Sequence, residues 1–353
     1  MAQVIADATT AAPAAAHRAR PILAVNDLKK YFPIRGGLMN RQVAQVQAVD
    51  SVSFEVREGE TLGIVGESGC GKSTTARLLM RLIEPDAGDV LLDGERVGPG
   101  GMALTAMRRQ MQMVFQDSYA SLNPRLTIED TIAFGPQVHG VARNEARGRA
   151  RSLLGKVGLD PNLFIRRYPH ELSGGQRQRI NIARALALEP KVVILDEAVS
   201  ALDKSVEAQV LNLLTDLKRD LSLTYIFISH DLHVVHYISD RVLVMYLGQV
   251  VEIGPVTEIY ERPSHPYTRS LLSAMPSMDP SRRADKPPLT GDPPNPVNPP
   301  SGCRFHTRCP HAADVCKTKV PILQRSGNND HLAACHMLNS GSGHPDAPTR
   351  RMA

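Results

Sequence analysis

The chain has 353 residues, 42% of them hydrophobic, with 41 basic against 36 acidic side chains and a formal charge of +5. This length allows one large domain plus a small appended one, and the balance excludes a disordered or membrane-embedded chain. No apolar run reaches the ~18 residues that a membrane-spanning helix needs, and the Ala- and Thr-rich start has no basic region ahead of an apolar block, which argues against a secretory signal.

Residues 1–20 read as a disordered tail. From Ile22 onward short apolar runs alternate with amphipathic segments, and "TLGIV", "VVIL", "TYIFI" and "RVLVMYL" are the strand candidates. That alternation predicts a mainly parallel α/β sheet over residues 21–275. No internal repeat is visible, which argues against two tandem copies of one unit.

The segment "GIVGESGCGKST" sets Gly66, Gly71, Lys72 and Ser73 in the pattern G-x-x-x-x-G-K-[ST], after an apolar strand and before the helical run "TARLLMRLI". Such a loop wraps backbone N–H groups around a phosphate at a helix N-terminus. Lys72 is then positioned for the β and γ phosphates and Ser73 for Mg²⁺. Gly66, Ser68, Gly69, Cys70, Gly71, Lys72, Ser73 and Thr74 form the candidate nucleotide-binding loop, in which Cys70 reads as a tolerated small residue rather than a metal ligand.

Residues 117–182 interrupt the alternation with an Arg-rich, helical stretch that reads as an inserted subdomain. Its dispersed arginines, Arg143, Arg147, Arg149, Arg151, Arg166, Arg167, Arg177 and Arg179, suit solvated helix faces better than a nucleic-acid groove. Next, "KVVILDEAVSALD" delivers Asp196 and Glu197 at a strand end. Successive strand residues point to opposite sides, so Asp196 fits the Mg²⁺ side and Glu197 fits polarising an attacking water. Val206, Val210, Leu213, Leu214, Leu217 and Leu221 then recur at helical spacing, as a crossover helix before "TYIFI" requires.

Pro276 to Pro300 holds nine prolines in 25 residues, so residues 276–301 read as a linker or extended strap. Residues 302–340 carry Cys303, Cys309, Cys316 and Cys335 at C-x5-C-x6-C-x18-C, and residues 341–353 are assigned to a tail. Four clustered thiols in a chain without a secretory signal argue for metal thiolate chemistry. A [4Fe-4S] cluster fits four thiolates. Zn²⁺, with His306, His311 or His336 replacing a thiolate, and unligated or oxidised thiols are the alternatives. In each case the role is a structural staple for a small module.

"LSGGQRQRINIARAL", Leu172 to Leu186, resembles the signature motif of ABC-type ATPases. The resemblance implies an ABC-type P-loop nucleotide-binding domain: a RecA-like α/β core, an inserted α-helical subdomain and an N-terminal antiparallel β portion, here with a small C-terminal Cys-rich extension. Ser173, Gly174, Gly175 and Gln176 open a helix and form a second anion-binding N-terminus, and two phosphate cradles for one nucleotide imply a head-to-tail dimer.

The same resemblance assigns Gln116 in "VFQD" to the loop glutamine that senses Mg²⁺. It assigns His230 in "FISHDL" to the switch histidine holding the γ phosphate and the water, and Asp203 in "SALD" to the aspartate across the dimer interface. "LKKYFPI" resembles the adenine-stacking aromatic loop, with Phe32 the better register match and Tyr31 the fallback. Ala198 departs from the family pattern, where proline commonly follows the glutamate. The implied cofactors are ATP and Mg²⁺.

"HPYTRSLLSAMP", "QDSYASLNPR" and the cysteine region resemble the ATP-binding subunits of bacterial dipeptide and oligopeptide permeases. That implies two transmembrane permease subunits, a second ABC ATPase subunit in a heterodimer or homodimer, an external substrate-binding protein, and a place at the cytoplasmic face of the inner membrane. The competing class, a soluble ABC ATPase of translation or DNA repair, usually carries two cassettes or a long coiled-coil insertion, and neither is visible. A redox enzyme lacks a G-x-G-x-x-G fingerprint at a suitable strand.

Overall fold

The computed structural model describes residues 20–36, 40–275, 294–326 and 330–348. The expected N-terminal tail, apart from Arg20, most of the proline-rich linker and the last five residues lie outside the described residues. Two sheets organise the chain. The first has the order β2-β1-β4-β5, built from β1 (Pro21–Gly36), β2 (Arg41–Arg57), β4 (Ala87–Leu92) and β5 (Glu95–Arg96), all antiparallel. In β2, Val52, Phe54 and Val56 are buried while Ser51, Ser53 and Glu55 are exposed, the period-2 pattern of a sheet covered on one face.

The second sheet adds β3 (Thr61–Val65), β6 (Met111–Val114), β7 (Val192–Asp196), β8 (Thr224–Ile228), β9 (Arg241–Tyr246), β10 (Gln249–Pro255), β11 (Gln324–Arg325) and β12 (Leu332–Ala333). Their order is β11-β12-β10-β9-β3-β8-β7-β6, parallel from β9 to β6 and antiparallel at the other edge. Every residue of β3, β7 and β8 is buried, which is why these strands read as unbroken apolar runs.

The helix Lys204–Leu221 makes the crossover from β7 to β8. Val210, Leu211, Leu214 and Leu217 bury its inner face, Asp203 caps its start, and Ser222 ends it in the left-handed conformation. Between β6 and β7 the chain inserts helices Ile128–Val138, Arg143–Lys156, Pro161–Phe164 and Gly174–Leu186, packed around Ile132, Ala146, Ala150, Leu154 and Ile180. Three of its arginines meet carboxylates: Arg147 pairs with Glu129 and Asp130, Arg151 with Glu129, and Arg149 with Glu145 and Glu189. Arginines paired in this way are poor contacts for a phosphate backbone.

The cysteine-rich segment is not free-standing, because β12 pairs with β10 and so extends the main sheet. Glu252 on β10 is fully buried and accepts from the backbone N–H of Ser264 and His265, while the His331 ring meets it at 2.7 Å. Part of the expected C-terminal tail is packed too: His344 is buried with its Nε2 2.8 Å from the carbonyl of His311.

His265 is enclosed between these elements, and its Nδ1 accepts the N–H of Tyr267 at 3.1 Å, capping the helix Pro266–Ser273. Burial pushes its pKa down from 6.5 to about 4, against the opposing pull of Glu252. The unfolded chain therefore binds more protons between those values, so stability present near neutrality is lost as pH falls through the window. The loss from this group reaches about 2 kcal/mol at pH ~5. His265→Asn, which keeps a capping acceptor, is expected to flatten the pH dependence of chemical unfolding between about pH 7 and 5.

Candidate functional site: a phosphate cleft at the strand ends

The loop after β3 turns at Gly66, with φ +149° and a hypothetical Cβ only 2.2 Å from the Met245 carbonyl, and at Gly71, with φ +110° and a Cβ 2.3 Å from the Ala48 carbonyl. No side chain fits at either place. The helix Lys72–Leu79 starts directly on Gly71 with no side-chain cap and no acidic residue in its first turn. Its leading N–H groups and the positive end of its dipole are thus left for an anion. Lys72 is buried, and its Nζ donates to the carbonyls of Gly66 (2.8 Å) and Glu67 (3.1 Å). Cys70 is buried beneath the loop, where burial pushes its thiol pKa up, so it is an inert packing residue.

From β7, Asp196 accepts the Ser73 hydroxyl at 3.0 Å. Burial, more than any charge, pushes its carboxyl pKa up, with the Ser73 bond and Lys72 opposing and Glu197 adding to the rise. A buried carboxylate beside a hydroxyl, short of compensating charge, suits Mg²⁺, which takes few protein ligands and keeps its waters. Glu197 adopts φ +48°. Its N–H donates to Ile228 of β8, and Ser200 closes the turn with N–H and hydroxyl bonds to its carbonyl, so the turn forms with Ala198 in place of proline. A non-glycine residue held in the left-handed region costs about 1 kcal/mol or more, and such residues cluster at functional sites.

The Glu197 carboxylate faces two side chains from elsewhere in the chain. Gln116 Nε2 donates to it at 2.8 Å and His230 Nδ1 lies 3.4 Å away. Ser68, Gly69, Gly71, Lys72, Ser73, Thr74, Gln116, Glu197 and His230, with Val46 and Ala48, line one cleft of about 360 Å³. Val46 lies opposite Phe32 in the β1–β2 ladder, so the two side chains share a face; Phe32 is 36% exposed. Tyr31 is committed elsewhere, its hydroxyl donating to Asp50 at 2.6 Å.

Ser173, Gly174, Gly175, Gln176 and Asp203 do not line this cleft. Ser173 caps the helix Gly174–Leu186, its Oγ accepting from Gln176 N–H while Gln176 Oε1 accepts from Ser173 N–H. Asp203 Oδ1 accepts from Val206 N–H, the main cause of its lowered carboxyl pKa.

Two protein families match parts of the chain: the ABC transporter family over residues 49–200, and the C-terminal region of oligopeptide/dipeptide transporters over residues 251–316. The oligopeptide transport ATP-binding protein AppF of Bacillus subtilis is 50% identical over 323 residues, which are 90% of this chain and 98% of that protein. The chain belongs to the ATP-binding subunits of peptide ABC transporters. The glutathione import ATP-binding protein GsiA of Pectobacterium atrosepticum is 58% identical over 267 residues, 75% of this chain and 43% of that longer protein. A solved dimeric ATP-binding cassette in a post-hydrolysis state, with ADP and phosphate bound, superimposes with a TM-score of 0.58 at 26% identity, over 66% of this chain and 98% of its own. As a member of this family the chain is an ATP-hydrolysing enzyme. Among the described residues no helix is long and apolar enough to cross a membrane.

The cysteine segment departs from the metal-site expectation. Cys303, Cys309, Cys316 and Cys335 are free thiols, but among the described residues no three His, Cys, Asp or Glu side chains close on one metal ion. The histidines offered for a zinc site have other partners: His306 Nδ1 meets the Cys303 carbonyl, His336 Nε2 the Lys319 carbonyl, and His311 Nδ1 lies 3.8 Å from Asp346. Burial is the main cause that pushes the Cys303 pKa to about 12 and that of Cys335 to about 11, and the negative forms of neighbouring thiols add to both. The four thiols are therefore within electrostatic reach of one another.

Two arginines lie between the first two thiols of the segment. Arg304 donates to the carbonyl of Leu247, to Gln47 and to Asp50, and Arg308 forms a two-pronged pair with Glu67 of the glycine-rich loop. The available signal was two arginines each set directly beside a cysteine, in "CRFHTRC".

Proposed function

We propose that this ATPase powers import of dipeptides or oligopeptides through a membrane permease, by closing on ATP against a second cassette. One observation carries the reading: the glycine-rich loop, Ser73 with Asp196 bonded behind it, and the Gln116–Glu197–His230 group meet at one cleft, while the signature helix start stands outside it. An incomplete cradle calls for Ser173, Gly174, Gly175 and Gln176 of a facing subunit at the γ phosphate, with Asp203 at the shared interface. Phe32 stacks on the adenine.

In this reading Lys72 and the loop amides grip the β and γ phosphates. Ser73 and Asp196, with Gln116 nearby, would hold Mg²⁺, which when bound would spread the charge of the transferred phosphoryl group. Glu197 accepts a proton from the attacking water, and His230 orients that water toward the phosphorus. The partners are two transmembrane permease subunits, a second ABC ATPase subunit, and through the permease an external substrate-binding protein. A heterodimer with a paralogous ATPase is the reading adopted, with a homodimer as the alternative. Phe134 and Val138, one turn apart and more than 60% exposed, suit an apolar partner surface, and the location is the cytoplasmic face of the inner membrane. Nucleic acid is not among the partners.

Reconstitution with the permease subunits in vesicles tests the reading. The expected result is MgATP-dependent peptide uptake, and ATP turnover without uptake of any peptide overturns it. The cysteine segment is assigned a [4Fe-4S] cluster, with Zn²⁺ as the alternative. Support comes from the all-thiol donor set, four cysteines within residues 303–335. Anaerobically purified full-length protein is expected to be brown and to contain iron and sulfide in equal amounts, whereas a colourless, iron-free preparation removes the cluster.

A further inference from the structure

Glu67 places a carboxylate inside a loop that wraps a polyphosphate, where an unpaired negative charge opposes the ligand. In the structure it does not stand free. Arg308 Nη1 and Nη2 donate to its two carboxylate oxygens at 2.9 and 3.1 Å, and its backbone N–H donates to the Tyr267 hydroxyl at 2.8 Å. The Arg308 side chain is only 6% exposed. Glu67 is absent from the cleft wall although its neighbour Ser68 lines it. Tyr267 is itself buried against Tyr246 and Phe305, with ring centroids 4.6 and 5.5 Å away, so both groups that grip Glu67 are fixed by the C-terminal segment and its packing.

We infer that Arg308 is a positioning residue for ATP binding: it draws the Glu67 carboxylate away from the cleft, neutralises it, and so makes the phosphate loop depend on the cysteine-rich segment. Arg304 ties the same segment to the loop's other side. It bonds Asp50 and the Leu247 carbonyl, while Asp50 N–H donates to Gly248 and Gly248 N–H donates to Cys70 inside the loop, both at 2.8 Å. A two-pronged arginine–carboxylate pair is directional as well as charged, so lysine replaces it only in part.

The inference rests on reading the loop as the ATP cradle, and MgATP binding to the purified full chain tests the two separately. Arg308→Met is expected to raise the Kd and KM for MgATP about tenfold with little change in kcat, in the range of couplings between contacting residues. Arg308→Lys should recover part of that loss. Adding Glu67→Gln to Arg308→Met should restore affinity to within about threefold of the parent, because the uncompensated charge is gone; a purely structural arginine would show no such rescue. Unchanged affinity in Arg308→Met, or a double variant no better than Arg308→Met, overturns the inference. Lys72→Ala is the separate control: if it binds MgATP normally the cradle reading fails, and if it alone loses binding only the role of Arg308 fails.

Discussion

Glu197→Gln is expected to leave ATP binding intact while turnover falls about a thousandfold, the range for loss of a positioned general base. The carboxylate stands at the end of β7, fixed by its backbone bond to Ile228 and by Gln116 at 2.8 Å. An amide keeps its volume but accepts no proton from water. The groups that grip the phosphates, Lys72 and the start of its helix, are untouched, so affinity measured by equilibrium binding should match the parent. Phosphate release from the assembled transporter is the decisive measurement, and turnover near the parent's would remove Glu197 from its role.

Ser173→Arg is expected to lower turnover more than about a hundredfold, comparable to losing one donor to the transition-state charge, without weakening the first contact with ATP. The reason is geometric: Ser173 is absent from the cleft that holds Lys72, so its effect must come through a facing subunit. Loss of its cap also costs about 1 kcal/mol of helix stability, which thermal unfolding will register independently. Mixing Ser173→Arg chains with Lys72→Ala chains creates one intact composite site per mixed pair. Recovered turnover identifies a second copy of this chain as the facing subunit. Failure to recover while the assembled transporter is active assigns that surface to a different cassette.

Much of this was legible in the residues. The strands "TLGIV", "VVIL" and "TYIFI" could be read because a strand covered on both faces must be apolar throughout, and β3, β7 and β8 are buried at every position. The glycine-rich loop could be read because Gly66 and Gly71 occupy conformations and spaces closed to a Cβ. The expected [4Fe-4S] cluster at the cysteines, like its Zn²⁺ alternative, finds no group of metal ligands closed on one point among the described residues. Spacing along the chain constrains which thiols can meet, but their mutual distance depends on how the segment docks, and its histidines are drawn off by backbone carbonyls.

Local sequence set the phosphate loop, the strand-end carboxylates and the helix caps, since each is made by residues within a few positions of one another. What the tertiary structure alone decided were the long-range pairings: Gln116 and His230 converging on Glu197, β12 joining β10, and Arg308 reaching Glu67 across 241 positions. A single charged side chain carries no periodicity that marks its partner. Only burial, which makes an unpaired charge too costly to keep, selects which arginine meets which carboxylate.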